Sequence, residues 1–219
     1  MNLSILIPTV GPRTLYLNRL LCSLEEQVVR NNLRDKIEVV IFKDNFENSI
    51  GFKRNKLLKA ASGKFTCFVD DDDLVHTEYC KIMTDTIEKN PDIQHIGFKL
   101  KYFHNGLRGK DAFHSLQYKG WYETPAGYFR ETTTSNPIRS DISKQFKFPD
   151  KNNQEDKDWV TQIIESRLLQ KEHFIDDYMY EYYSHDLISL SADRKNRNQG
   201  NQSLPWFPKE ITGLNIIQI

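Results

Sequence analysis

Four consecutive carboxylates, Asp70 to Asp73, are the side chains in this sequence best suited to chemistry. Like charges this close repel, and a run of them is costly unless something cationic neutralises it. A divalent cation is the usual partner, and an all-oxygen site suits magnesium, manganese or calcium. The competing reading is a solvated acidic turn that caps the next helix, where Asp is favoured on its own account. Asp73 fits that reading well.

The elements that must hold these acids can be read around them. Upstream, Phe52 to Ala61 has helical spacing, with Leu57, Leu58 and Ala61 on one apolar face. Gly63 is expected to supply a left-handed helix stop. Lys64 to Val69 reads as a short buried strand with the acids at its C-terminal end, the edge at which open α/β sheets bind ligands. Before this, Leu3 to Ile7 reads as a strand stopped by Pro8, Leu15 to Val29 as a helix, and Ile37 to Phe42 as a second strand ending in Lys43-Asp44-Asn45. Alternating strands and helices predict a parallel sheet with right-handed crossovers, and would bring Thr9, Asp44 and Asp70 to one edge.

Beyond the acids, helices are expected over His76–Lys89, Ile138–Gln145 and Glu155–Leu169, and strand over Ile93–Phe103 and His173–Tyr183. Thr132–Asn136 is β-prone, residues 104–127 read as loop, and Asp193–Ser203 as a polar, locally basic and mobile stretch. The 219 residues suffice for one full core. Thirty basic and thirty acidic residues balance, so no global field draws the chain to nucleic acid or acidic lipid. Cys22, Cys67 and Cys80 lack metal-type spacing and are expected to be small buried apolar residues in a reducing compartment. With no signal-peptide pattern at the N-terminus and no apolar run of spanning length, the expected location is the cytoplasm.

Arg54-Asn55, Leu58, Ala60-Ala61, Gly63, Phe65, Phe68 and Asp70–Asp73 together resemble the central motif of the family 2 glycosyltransferases. Ser4-Ile5-Leu6-Ile7-Pro8-Thr9 is similar to that family's first strand, and Leu20, Leu21, Ser23, Leu24 and Gln27 to the helix after it. Glu155-Asp156 before Trp159 resembles the acidic pair that carries the catalytic base, and Tyr180, Tyr182, His185 and Ser189 the closing segment. One departure is that the second strand ends with a single acid, Asp44, where the family often has a pair.

The resemblance implies a GT-A fold: a single α/β domain with a mostly parallel central sheet flanked by helices. A Rossmann-like nucleotide-sugar half would cover about residues 1–100, an acceptor half about 101–190, and a polar tail 191–219. It implies a metal-dependent, inverting transfer from a nucleotide-diphosphate sugar, a UDP-sugar by expectation, with manganese or magnesium. Asp72 would ligate the metal directly. Asp70 would face the ribose or a metal-bound water, beside Asp71, and His185 would reach the metal or the diphosphate. Thr9, Asp44 and Arg54 would line the nucleotide pocket, although Arg54 serves equally well as a structural ion pair. Asp156 is the expected base, with Glu155 and Asp158 as alternatives. Acids in the first turn of a helix are also favoured by its dipole alone. Lys53 and the Arg194, Lys195 and Arg197 run are expected in solvent, Trp159 in the core, and Trp121 against a sugar. The acceptor is open between a glycan, a lipid carrier, a protein, and a hydroxylated base in modified DNA. A sugar nucleotidyltransferase is the other enzyme class, but Thr9-Val10-Gly11-Pro12-Arg13 makes a poor phosphate loop.

Overall fold

The computed structural model of the protein describes residues 1–184 and 211–219. The first strand, β1 (Leu3–Val10), is buried along its whole length and continues through Pro8. Pro8 is tolerated because the strand after β1's first half has one neighbour there: β3 pairs only with Leu3–Leu6. A 3-10 turn at Gly11–Arg13 leads into α1 (Thr14–Arg30), followed by β2 (Ile37–Asp44), α2 (Ile50–Ala60), β3 (Phe65–Phe68), β4 (Leu74–Val75) and α3 (Tyr79–Lys89). β1 lies between β2 and β3, parallel to both, so the expected parallel half-sheet forms.

Gly63 does not act as a left-handed stop. The cap of α2 at Ala61 is extended, and Gly63 is absent from the glycines with positive φ. Its need is for space: a Cβ there would lie 2.7 Å from the backbone N of Ser4, so the glycine lets the chain enter β3 tight against β1.

The second half departs most from the sequence reading. After β5 (His95–His104) come β6 (Leu107–Arg108), β7 (Ala112–His114), β8 (Trp121–Thr124) and β9 (Gly127–Arg130), in the stretch expected to be loop. Strands of two to four residues show no readable alternation. They are held by ring stacking across strands: Phe113 on Phe129 and Tyr122 on Phe129, each with centroids 5.1 Å apart. Thr132–Asn136 forms a turn because the Asn136 side chain accepts from the Thr133 N–H at 2.9 Å. β10 (Ile138–Arg139) takes the first residues of the expected 138–145 helix, because Ile138 bridges β3 and β5; α4 is left with Ser140–Ser143. α5 (Glu155–Ser166), β11 (Glu172–Ser184) and β12 (Asn215–Gln218) complete the order.

One mixed sheet carries all of these strands, in the order β12-β2-β1-β3-β10-β5-β7-β9-β8, with β11 beside β5 and β4. Its period of two divides the core. Leu3, Ile5 and Ile7 pack with Leu17, Leu20, Leu21 and Leu24 of α1 and with Met83 and Ile87 of α3. Leu6 and Val40 pack on the other face with Leu57 and Leu58 of α2 and with Trp159 and Ile163 of α5. Cys67 and Cys80 are buried, where desolvation pushes both thiols up to about 12, whereas Cys22 is exposed, contrary to the expectation for it. Among the described residues no helix is long and apolar enough to cross a membrane.

Candidate active site

Because β1, β2 and β3 are parallel, their C-terminal ends share an edge that collects Thr9, Asp44 and the acid run. The run itself alternates. Asp71 and Asp73 point inward and are buried, while the side chains of Asp70 and Asp72 keep 38% and 19% of their surface. Asp73 is no helix cap; α3 starts only at Tyr79. Its carboxylate accepts from the Tyr180 hydroxyl at 2.7 Å and from the Tyr183 N–H at 2.8 Å, which pins β11 to the acids. Burial pushes Asp73 well above the usual carboxylate range, and the charges of Asp70 and Asp72 add to this.

Asp71 accepts from the Thr9 hydroxyl at 2.5 Å and pairs with Arg13 Nη1 at 2.8 Å. Burial raises it to about 7 even so. The other arm of Arg13, Nη2, donates to Asp72, and Arg19 donates to the Asp72 carbonyl at 2.6 Å. Asp72 is likewise raised, by burial first, with Arg13 opposing and Asp70 reinforcing. In the sequence Arg13 was read only as the last residue of a poor phosphate loop, with no role at the acids. The only signal for it was its place in the turn after a central strand, at the sheet edge already expected to hold ligand.

Arg54 joins the acid run to the second acidic group. It is buried, with Asp70 at 3.3 Å and Glu155 at 3.6 Å, and its guanidinium lies 5.0 Å over the Phe68 ring and 5.7 Å over Phe148. The structure shows the ion-pair side of the expectation for Arg54, with both partners among the candidate acids. The next residue, Asn55, exchanges two hydrogen bonds with the Phe148 backbone, at 2.8 and 3.0 Å. At the start of α2, a Cβ on Gly51 would fall 1.9 Å from the Pro149 carbonyl oxygen. So α2 grips the 148–152 loop, and that loop delivers α5.

On α5, Glu155 is buried beside Arg54, and burial raises it, with Arg54 opposing and Asp156 reinforcing. Asp156 is only half-buried, with Oδ1 accepting from the Lys157 N–H at 2.8 Å. Asp158 pairs with Lys151 at 2.6 Å on the surface. At the end of β2, Asp44 accepts from the Asn48 N–H at 2.9 Å and the Phe46 N–H at 3.1 Å. Lys53 pairs with it, and burial, which would raise Asp44, is outweighed by Lys53 and the Asn48 hydrogen bonds together, so that Asp44 is lowered. Lys53 is therefore buried, not solvated as expected, and it also donates to the Thr9 carbonyl at 3.0 Å. His185, Ser189 and the Arg194, Lys195 and Arg197 run lie outside the described residues. A hollow of about 460 Å³ lined by Phe65, Ile87 and Arg139 lies at the opposite end of β3 and is no part of this edge.

The donor chemistry fits a small divalent cation. Asp70 to Asp73 and Glu155 outnumber the guanidiniums paired with them, Arg13 and Arg54, so negative charge is left over. Among the described residues no three ligating side chains converge. Among the described residues Asp70 and Asp72 would be the protein's share, with other positions open to water and phosphate oxygens, as magnesium accepts.

Residues 46–147 match the family model described as glycosyl transferase family 2. No curated protein sequence matches the chain. Among solved structures, S. aureus TarS in complex with UDP aligns at TM-score 0.64 and 21% identity, over 84% of this chain and 61% of that one. Its complex with UDP-GlcNAc aligns at 0.63 and 20%, over 84% and 59%. The mannosyltransferase PcManGT from Pyrobaculum calidifontis, in complex with GDP-Man and Mn2+, aligns at 0.51 and 12%, over 83% and 56%. The chain thus spans about three fifths of the length of these structures. At such identities the likeness speaks for the fold, and the segment matched by the family model contains α2 and the acid run. The fold and the 46–147 match agree: the chain has the GT-A architecture, and within it residues 46–147 resemble glycosyl transferase family 2.

Proposed function

We propose that this glycosyltransferase moves a sugar from a nucleoside-diphosphate donor, a UDP-sugar, to an acceptor hydroxyl with inversion at the anomeric carbon, and that it requires manganese or magnesium. The observation that carries the reading is Arg54, a single buried guanidinium with Asp70 on one side and Glu155 on the other. It ties the edge suited to a nucleotide to the helix whose first turn presents a half-buried carboxylate. The structures bearing UDP and UDP-GlcNAc in their names support the choice of donor.

Asp70 and Asp72 would hold the cation, which when bound neutralises charge on the departing diphosphate. Thr9, Arg54 and the Asp44–Lys53 pair form the walls of the nucleotide side, with Asp71 fixed behind them by Thr9. Asp156, not spent on an ion pair with Arg54 as Glu155 is, takes the proton from the acceptor hydroxyl. The acceptor oxygen attacks the anomeric carbon as the bond to the diphosphate oxygen breaks, and the electron pair leaves with the diphosphate. One displacement inverts the centre. On the acceptor half, about residues 101–190, exposed Trp121, Tyr122 and Tyr182 offer rings to an acceptor of glycan type.

Calorimetric titration with UDP, GDP, CDP, TDP and ADP, with and without manganese, tests this reading. Metal-dependent binding of UDP alone is the expected result; no binding of any diphosphate would refute the reading. With the donor fixed, Asp156→Asn should keep UDP binding and lose transfer. Transfer at the unaltered rate would place the base elsewhere.

A further inference from the structure

Arg13 reaches the acid run from the turn after β1. It sits in the Gly11–Arg13 turn, buried, with its fork across two neighbouring carboxylates, Asp71 and Asp72. These two acids differ in access. Asp71 is sealed, held also by Thr9, whereas Asp72 keeps part of its surface in solvent. The turn that carries Arg13 is itself fixed. A Cβ at Gly11 would fall 2.2 Å from the Asn45 side chain, Thr14 donates to the Gly11 carbonyl at 2.7 Å, and Lys43 donates to the Thr14 hydroxyl at 3.0 Å. The guanidinium therefore has a permanent anchor on Asp71 and a second arm on the carboxylate that the proposed function gives to the cation.

We propose that Arg13 is a positioning residue that makes cation binding depend on the donor's diphosphate. Resting on the functional reading above, the inference follows from competition for one carboxylate. In the empty site Arg13 neutralises Asp72, so a divalent ion must displace an arm of a fork already in place. A diphosphate brings oxygens of higher charge, with which guanidinium pairs well, and takes that arm over. Asp72 is then free for the ion while Asp71 keeps Arg13 in reach. Linkage requires the effect to be mutual: manganese must tighten UDP by the factor by which UDP tightens manganese.

The test is manganese binding itself, read by electron paramagnetic resonance of the free ion, for the full chain with and without UDP. Without nucleotide the unaltered protein should bind manganese weakly, and UDP should tighten it on the order of tenfold or more. Arg13→Gln should bind manganese without nucleotide more tightly than the unaltered protein does, so that the coupling shrinks to the part that direct ligation by the diphosphate supplies. Arg13→Lys keeps the charge without the fork and should fall between the two, which also covers the case of a Gln variant that does not fold. Unchanged manganese binding by either folded variant, with UDP coupling intact, would overturn the role of Arg13 and leave the functional reading standing. Absence of manganese binding in every protein, with or without UDP, would overturn both.

Discussion

Arg54 shows what a single buried charge can organise. Its guanidinium is packed against both Phe68 and Phe148 and answers two carboxylates, Asp70 and Glu155. Removing one member of a buried ion pair leaves the other uncompensated, at a cost of about 3 kcal/mol. Arg54→Gln should lower the unfolding free energy by roughly that amount in a urea titration. Arg54→Lys should recover little of it, since an ammonium can neither lie against two rings in the same way nor fork. Stability unchanged in the Gln variant would refute the bridging role. Asp72→Ala is expected to leave the fold intact and abolish manganese-dependent UDP binding, as calorimetry would show. The sequence made Asp70, Asp72 and Asp156 visible because runs of acids beside a strand and at a helix start are local patterns. Arg13 and the buried state of Lys53 were not visible, because each is set by partners 59 and 9 residues away. A basic residue carries no mark of which acid it will meet.

At the scale of elements, α2 is the part on which the site depends. Ser49 caps it, accepting from the Phe52 N–H at 3.0 Å, and also donates to Asp150. Ser49→Ala should therefore cost about 1 kcal/mol through the cap, and loosen the loop that leads to α5. Gly51→Ala should do more. A methyl group at 1.9 Å from a backbone carbonyl must push the helix from that loop, and with it Arg54 from Glu155. The expected result is loss of transfer with UDP binding reduced less; an alanine variant with full activity would show the contact to be dispensable. The first three strands and the helices between them were legible because long apolar runs and helical spacing survive any tertiary context. β6 to β9 were not. Their strands are too short for a period, and what pairs them is a set of rings, Phe113, Phe129 and Tyr122, that meet only across the sheet. The role given to Gly63 failed for a related reason: a glycine's sequence neighbours hint at a turn, but its true constraint was the backbone of Ser4.

For the molecule as a whole, stability carries the signature of its buried histidine. His114 is buried at the end of β7, its Nδ1 3.1 Å from the Thr133 hydroxyl, and burial, then Arg130, lowers its pKa to about 3. The unfolded chain takes up a proton there as pH falls below about 6.5, while the folded chain does not until about 3. Within that window each pH unit removes up to about 1.4 kcal/mol of folding free energy. His114→Gln should flatten the fall measured by urea denaturation between pH 6 and pH 5; an equal slope in both proteins would show the imidazole to be titrating normally. Burial of the other histidine on the same sheet, His95, is of a different kind, since Glu172 stands against its ring at 2.9 Å. The stack that encloses Arg54 has an optical consequence. Phe148 lies parallel to the Trp159 indole at 4.7 Å, and the Arg54 guanidinium lies 5.7 Å from the centre of the same Phe148 ring. Any event that alters charge around Asp70 shifts the field at a dry indole, so the emission colour of Trp159 should report occupancy of the site without a label, while exposed Trp121 responds to quenchers in solution.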